Sequence, residues 1–154
     1  EQYHLNPSAL PDGRGVLFAA RDTTIADAAN LMRHQHVGDV VVIDKVDGQH
    51  LPVGIVTDRD IVVEVIAMGL DAKVLTLGDI LIGNLITADE LDEREDTLRL
   101  MCLKGIRRLP VVNSTGGLVG IVTVDDLIGE LALELTEISK LTLKEQRREM
   151  QFRK

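Results

Sequence analysis

Along residues 24–69 the spacing of apolar side chains changes period in a fixed order. Ile25, Ala28, Ala29 and Met32 recur three and four apart, as on one face of a helix, and Val40-Val41-Val42-Ile43 has the β-branched density of a buried strand. Asp44 to Gly48 supplies turn residues and Leu51 to Val56 a second strand. From Asp58 onward Ile61, Val62, Val65 and Ile66 return to helical spacing, until Gly69 closes the helix. The same order recurs further on, through Thr97, Leu98 and Met101, then Pro110-Val111-Val112, Leu118 to Val122, and a helix with Leu127, Ile128 and Leu131. A short strand is also expected to lead each half, at Val16 to Ala19 and at Asn84 to Thr87. The pattern therefore predicts β-α-β-β-α written twice.

The two halves also share words. Leu31-Met32 matches Leu100-Met101, Val37 matches Ile106, and Val42-Ile43 matches Val111-Val112, all at an offset of 69. After a polar turn come GIVTDRDIV at 54–62 and GIVTVDDLI at 120–128, at an offset of 66. The offset drops because the first hairpin turn is longer, and hairpin turns tolerate such insertions. Two units, each with an apolar sheet face, would bury those faces on one another. The expected fold is thus α/β: two tandem repeats related by a pseudo-two-fold, packed through their sheets, with a C-terminal helical extension. The expected divisions are an N-terminal extension at 1–13, repeat one at 14–72, repeat two with its leading linker at 73–132, and an amphipathic basic helix at 133–154.

Composition narrows the function classes. At 154 residues the chain can bury a core without disulfide or metal staples, and with 2% aromatic residues that core must be aliphatic. A net charge of −8 argues against nucleic acid, which needs clustered Lys and Arg. The charge is uneven: residues 140–154 carry +4 and the remainder −12. The lone cysteine, Cys102, excludes an internal disulfide, suits a reducing compartment and reads as a buried helix thiol. No apolar run approaches the ~18 residues of a membrane span and no leader pattern is seen, so a cytoplasmic location without membrane contact is expected.

The Leu-Met helix, Gly-Ile-Arg-Arg-Leu-Pro-Val-Val at 105–112, and the doubled Gly-Ile-Val-Thr-x-x-Asp together resemble the CBS domain pair, or Bateman module, over roughly residues 14–132. One copy of the last motif would be weak; two at matching places make the resemblance specific. It implies a non-catalytic regulatory module that binds an adenosyl ligand (AMP, ADP, ATP, NAD or S-adenosylmethionine) in clefts between its repeats and signals occupancy to a partner protein. A homodimer is expected, and no catalytic cofactor.

Carried onto this chain, the resemblance nominates Thr57, Asp60, Thr123 and Asp126 first. Each threonine sits at a strand-to-helix junction, where unpaired N–H groups and the helix dipole favour a phosphate. Each aspartate, three residues on, presents a carboxylate to ribose hydroxyls. The competing reading is a capping box, Thr at the N-cap and an acid at N3, which needs no ligand. Arg107 and Arg108 read either as a phosphate clamp or as a solvated charge pair. The matching place in repeat one holds Gly38-Asp39, where Asp39 would repel phosphate and Arg59 compensate, so the second site is expected to be the better one. Val37, Val40, Ile106 and Pro110 are nominated for the adenine walls, though each also suits the core, and Thr87 and Ala19 by the same mapping.

Other candidates carry less. His34 and His36 stand two apart on a helix without an acidic or Cys partner at ligand spacing, so a surface role is expected and no metal site. Pro-Asp-Gly-Arg-Gly at 11–15 lacks the lysine and preceding strand of a phosphate loop and reads as a turn. No nucleophile–base pair is seen, so the chain is not expected to be an enzyme. Leu131, Leu135, Ile138 and Leu141 lie at helical spacing before a cationic tail; they fit a helix packed on its own domain, or an oligomer contact or grip on an acidic partner. The rival to nucleotide sensing as a whole is a structural dimerisation module whose Thr and Asp only cap helices.

Overall fold

The computed structural model describes residues 3–4 and 16–153. The turn expected at 11–15, and all of the 1–13 extension except Tyr3 and His4, lie outside the described residues. The chain divides into two compact units, one of residues 1–92 with 109–121, the other of 93–108 with 122–154.

The first unit holds the whole of repeat one and most of the second repeat's sheet. Its elements are β1 (Tyr3–His4), β2 (Leu17–Ala20), α1 (Ile25–Gln35), β3 (Asp39–Val46), β4 (Gln49–Thr57) and α2 (Asp58–Ile61), which runs on into a π-helical turn, Val62–Ile66. A 3-10 turn (Leu77–Ile80) and β5 (Ala88–Asp89) follow. Strands β1 to β4 form one sheet in chain order; β2 joins β3 in parallel across α1, and β4 returns antiparallel from a tight hairpin. That hairpin is longer than expected, because β3 continues through Asp44 to Val46 and only Asp47-Gly48 turn, both at positive φ. A bulge between Val42 and Ile43 takes up the extra residue opposite Gly54 and Pro52. The proline is tolerated because β4 is an edge strand.

The continuous apolar run of β3 is explained by burial on both faces. Val40 and Val42 join Leu17 and Ala19 under Ile25, Ala28, Leu31 and Met32 of α1 and Ile61 and Val65 beyond β4. Val41 and Ile43 point the other way and join Val16, Phe18, Leu118 and Ile121 in a second cluster. Leu118 and Ile121 belong to the second repeat's sheet, so the sheets do pack face to face. Ala29, expected on the buried face of α1, is exposed; Leu31 takes that place. Val62 and Ile66, expected inside, are also exposed, because the π turn shifts the helix phase after Ile61 and leaves only Val65 pointing inward.

The second sheet is β5, β6 (Arg108–Val112) and β7 (Leu118–Thr123), in that order. The strand expected at Asn84 to Thr87 is not there: those residues are irregular, and β5 pairs only Ala88 with Val111 and Asp89 with Val112. Repeat one makes the same two pairs, Ala19 with Val42 and Ala20 with Ile43, plus a third, Phe18 with Val41. At the offset of 69 that third pair would be Thr87 with Pro110, and a proline has no N–H to give. The strand is short because Pro110 ends its ladder.

The second unit consists of α3 (Arg94–Lys104) and α4 (Val124–Phe152), joined by the Arg94–Glu134 ion pair, with Thr97, Met101 and Leu127 buried. Helix α4 runs 29 residues without interruption, so no break marks the division expected at 132/133. Cys102, expected to be buried, is exposed on α3. Among the described residues no helix is long and apolar enough to cross a membrane.

Candidate functional site

The two Gly-Ile-Val-Thr-x-x-Asp segments do the same thing locally. Each ends a strand on its threonine, in extended conformation, and starts a helix on the next residue. At the first junction the Asp60 N–H donates to Thr57 Oγ1 (3.2 Å) while the Thr57 N–H donates to Asp60 Oδ2 (2.8 Å). At the second the Asp126 N–H donates to Thr123 Oγ1 (3.2 Å) and the Thr123 N–H to Asp126 Oδ2 (2.9 Å). The Thr123 hydroxyl also donates to Asp126 Oδ2 (2.8 Å), so its proton is engaged within the cap. Both junctions are therefore reciprocal capping boxes, satisfying two orphan N–H groups at each helix start.

The same tetrapeptide caps two further helical segments, once as a box and once as a single N-cap bond. Thr76 and Asp79 form the same reciprocal pair ahead of the 3-10 turn, with Thr76 N–H and Oγ1 donating to Asp79 Oδ2 at 2.9 and 3.0 Å. Thr24 caps α1 by accepting from the Asp27 N–H at 3.1 Å. The signal was present as Thr-x-x-Asp at 24–27 and 76–79. Capping is thus the general use of this tetrapeptide here. What sets the two junctions apart is the preceding strand and the loop lying opposite.

That loop is built alike in both repeats. Helix α1 closes on His36 at φ 55° and α3 on Gly105 at φ 66°; the next N–H, of Val37 or Ile106, donates to Met32 or Met101 at 3.1 Å. The residue after it then accepts from the start of the following helix, Asp58 N–H to Gly38 O at 3.0 Å and Val124 N–H to Arg107 O at 2.9 Å. Gly38 and Arg107 are equivalent by this bond, and Asp39 and Arg108 follow them. Asp39 pairs directly with Thr57 across the β3–β4 ladder, and Val40 with Val56. The first unit therefore gathers Val37, Asp39 and Val40 against Thr57, Arg59 and Asp60.

In the second unit Ile106, Arg107 and Arg108 lie with Thr123 and Asp126. Arg107 is mostly exposed and stands 3.7 Å from Asp125, a pair too open to hold it. Arg108 begins β6 and is half-buried. Of the nominated wall residues, Val40 and Pro110 are fully buried, while Val37 and Ile106 keep a half-exposed edge. Thr87 precedes β5, and the pairing aligns it with Phe18 instead of Ala19, whose counterpart is Ala88. Ala19 lines a separate recess of about 550 Å³ on α1, with Asp22, Thr24, Asp27 and His34. There His34 Nδ1 donates to the Asn30 carbonyl oxygen at 2.7 Å. Among the described residues no group of three His, Cys, Asp or Glu is placed to hold a metal.

In the first copy of the motif the glycine sits close under a neighbouring side chain. A Cβ on Gly54 would lie 2.3 Å from Leu81 Cδ2, so this strand position is kept bare by the segment packed over it.

A model of the CBS domain matches residues 13–67 and again 77–133. The chain belongs to the CBS-domain family. An uncharacterised protein of Methanopyrus kandleri is 36% identical over 115 residues, 75% of this chain and 57% of that one, so the chain spans little more than half of that relative's length. Among solved CBS-domain structures, a hexameric CBS-CP12 protein from bloom-forming cyanobacteria is 30% identical, with a TM-score of 0.65, covering 75% of this chain and 65% of its own. The crystal structure of CBSX2 in complex with AMP is 26% identical, with a TM-score of 0.63, covering 79% of this chain and 90% of its own.

Proposed function

We propose that this CBS pair is a cytoplasmic, non-catalytic regulatory module, acting as a homodimer, that binds an adenine nucleotide and passes its occupancy to a partner protein. AMP, ADP and ATP come before NAD and S-adenosylmethionine. The observation that carries this reading is the twofold occurrence of a strand–Thr–helix junction with Asp at N3, each facing a loop of the same hydrogen-bonded construction. The AMP-bound CBSX2 supports the ligand class. In this reading the junction N–H groups and the threonine meet phosphate. Asp60, whose cap uses Oδ2, offers Oδ1 to ribose hydroxyls, and Asp126 is the corresponding carboxylate of the second site. Val37 and Ile106 flank the base with their exposed edges, ahead of the buried Val40 and Pro110; Ala19 and Thr87 are the outermost contacts. Arg107 and Arg108 make the second site the stronger phosphate binder, against Asp39 and Arg59 in the first. Regulation then follows from different affinities of the ligand for two states of the module.

Calorimetry with AMP, ADP, ATP, NAD and S-adenosylmethionine tests this on the parent chain and on Asp60→Ala, Asp126→Ala and Asp79→Ala. The last removes an equivalent capping box outside the proposed sites. All three variants should lose about 1 kcal/mol of stability by chemical denaturation. Only Asp60→Ala and Asp126→Ala should lose heat of binding, with Asp126→Ala the larger loss. Absence of heat from every ligand would sink the proposal and favour the rival reading, a structural dimerisation module, to which the recurrence of the cap at Thr24 and Thr76 already lends weight.

A further inference from the structure

Helix α4 carries two patterns for which nucleotide binding has no use. The first is an apolar row. Ile128, Leu131, Leu135 and Ile138 follow the 3-4-3 spacing of a two-stranded helical seam, with Leu141 beside it. Leu135, Ile138 and Leu141 are 66%, 61% and 61% exposed. Helix α3 meets α4 through the Arg94–Glu134 pair, and every described residue from 131 onward is exposed.

The second pattern is the order of charge along the same helix. From Asp125 to Ser139 all five charged residues are acidic: Asp125, Asp126, Glu130, Glu134 and Glu137. From Lys140 onward five described cations, Lys140, Lys144, Arg147, Arg148 and Arg153, outnumber Glu145 and Glu149. The helix is a rod with an apolar edge, negative at one end and positive at the other.

We propose that two copies of this chain pair through α4 in antiparallel orientation. A parallel pair would set acid against acid and base against base over the whole length. The antiparallel pair sets the acidic half of each helix beside the basic half of the other, and the two helix dipoles then also oppose each other favourably. It is self-complementary about a two-fold, so one surface serves both partners. A different partner would have to supply both an apolar edge and the reversed charge order, and a second α4 has both. The pairing stands independently of nucleotide binding.

The test uses the full chain in a Cys102→Ser background, spin-labelled at one flank position at a time through Ala132→Cys, Ser139→Cys or Gln146→Cys. In an antiparallel pair each seven-residue step changes the axial offset between the two labels by about 21 Å, so no register makes all three distances equal. In a parallel pair the three are the same. The expected result is the shortest distance at 139, with longer ones at 132 and 146. It should vanish in Leu135→Asp combined with Ile138→Asp, with helix content and melting of the core unchanged. Three equal distances, no measurable distance from any label, or a distance that survives the double aspartate variant would each overturn the proposal.

Discussion

His36 and Gly105 end equivalent helices in the same left-handed conformation, but only the glycine adopts it without strain. Replacing His36 by glycine should therefore stabilise the chain by about 0.5–1 kcal/mol, read as a higher urea midpoint with unchanged slope, since His36 is exposed and caps by backbone alone. A second residue-scale effect concerns Asp44, which takes two hydrogen bonds from the Arg21 guanidinium, 2.8 Å from Nε and 3.0 Å from Nη2. These bonds, more than the charge alone, hold its carboxyl below the ordinary aspartate range. A carboxyl depressed in the folded state contributes stability above its unfolded pKa of about 3.9 and loses it as pH falls through the folded value. Asp44→Asn should thus lower the urea midpoint slightly at neutral pH, because the pair is exposed, and the gap to the parent should close below pH ~4. At this scale the Thr-x-x-Asp segments at 57–60 and 123–126 were legible as strand-to-helix junctions, because the apolar period changes there from strand to helix. Their capping role was legible too, as the rival reading. What escaped notice was that Thr24–Asp27 and Thr76–Asp79 cap as well, since neither follows a strand written Gly-Ile-Val.

Elements were legible where burial is two-sided. Strand β3 announced itself as four consecutive β-branched residues because one face meets α1 and the other meets Phe18, Leu118 and Ile121. The leading strand of repeat two was not legible, because its existence depends on its neighbour and not on its own residues. Pro110 removes the N–H that a third pair would use. Pro110→Val, which installs what repeat one has at Val41, should extend the β5 pairing back to Thr87. Hydrogen exchange would report it as a slowly exchanging amide at position 110; exchange there as fast as in an exposed loop would refute this account of the short strand. The phase of the helix after Asp60 was misjudged for a related reason. A π turn inserts extra backbone between Ile61 and Val65, and periodicity at 3.6 residues has no way to announce it.

For the molecule as a whole, the segment between the repeats matters most. Residues 72–78 were expected to belong almost entirely to repeat two, yet they are bound to the first. Ala26 N–H donates to Ala72 O, Ile25 N–H to Leu75 O, Leu77 N–H to Thr23 O and Gly78 N–H to Arg21 O, all within 2.8–2.9 Å. Thr24 and Thr76 form a bridge at the centre of this seam, and Leu77 is completely buried in the first core. Leu77→Ala should cost about 2–5 kcal/mol, measured by equilibrium denaturation, as much as a mutation inside any regular element. The sequence hid this because the seam is made by backbone atoms and a single side chain, which leave no period to read.

The seam also bears on how the gene can be divided. A single repeat expressed from residues 14–72 would leave three N–H or carbonyl groups at the start of α1 unmatched and a gap where Leu77 sits; one ending after Leu81 would retain them all, along with the side chain that covers Gly54. The hydrogen-bonded and packed boundary of the first repeat therefore lies beyond the boundary of the repeat in the sequence.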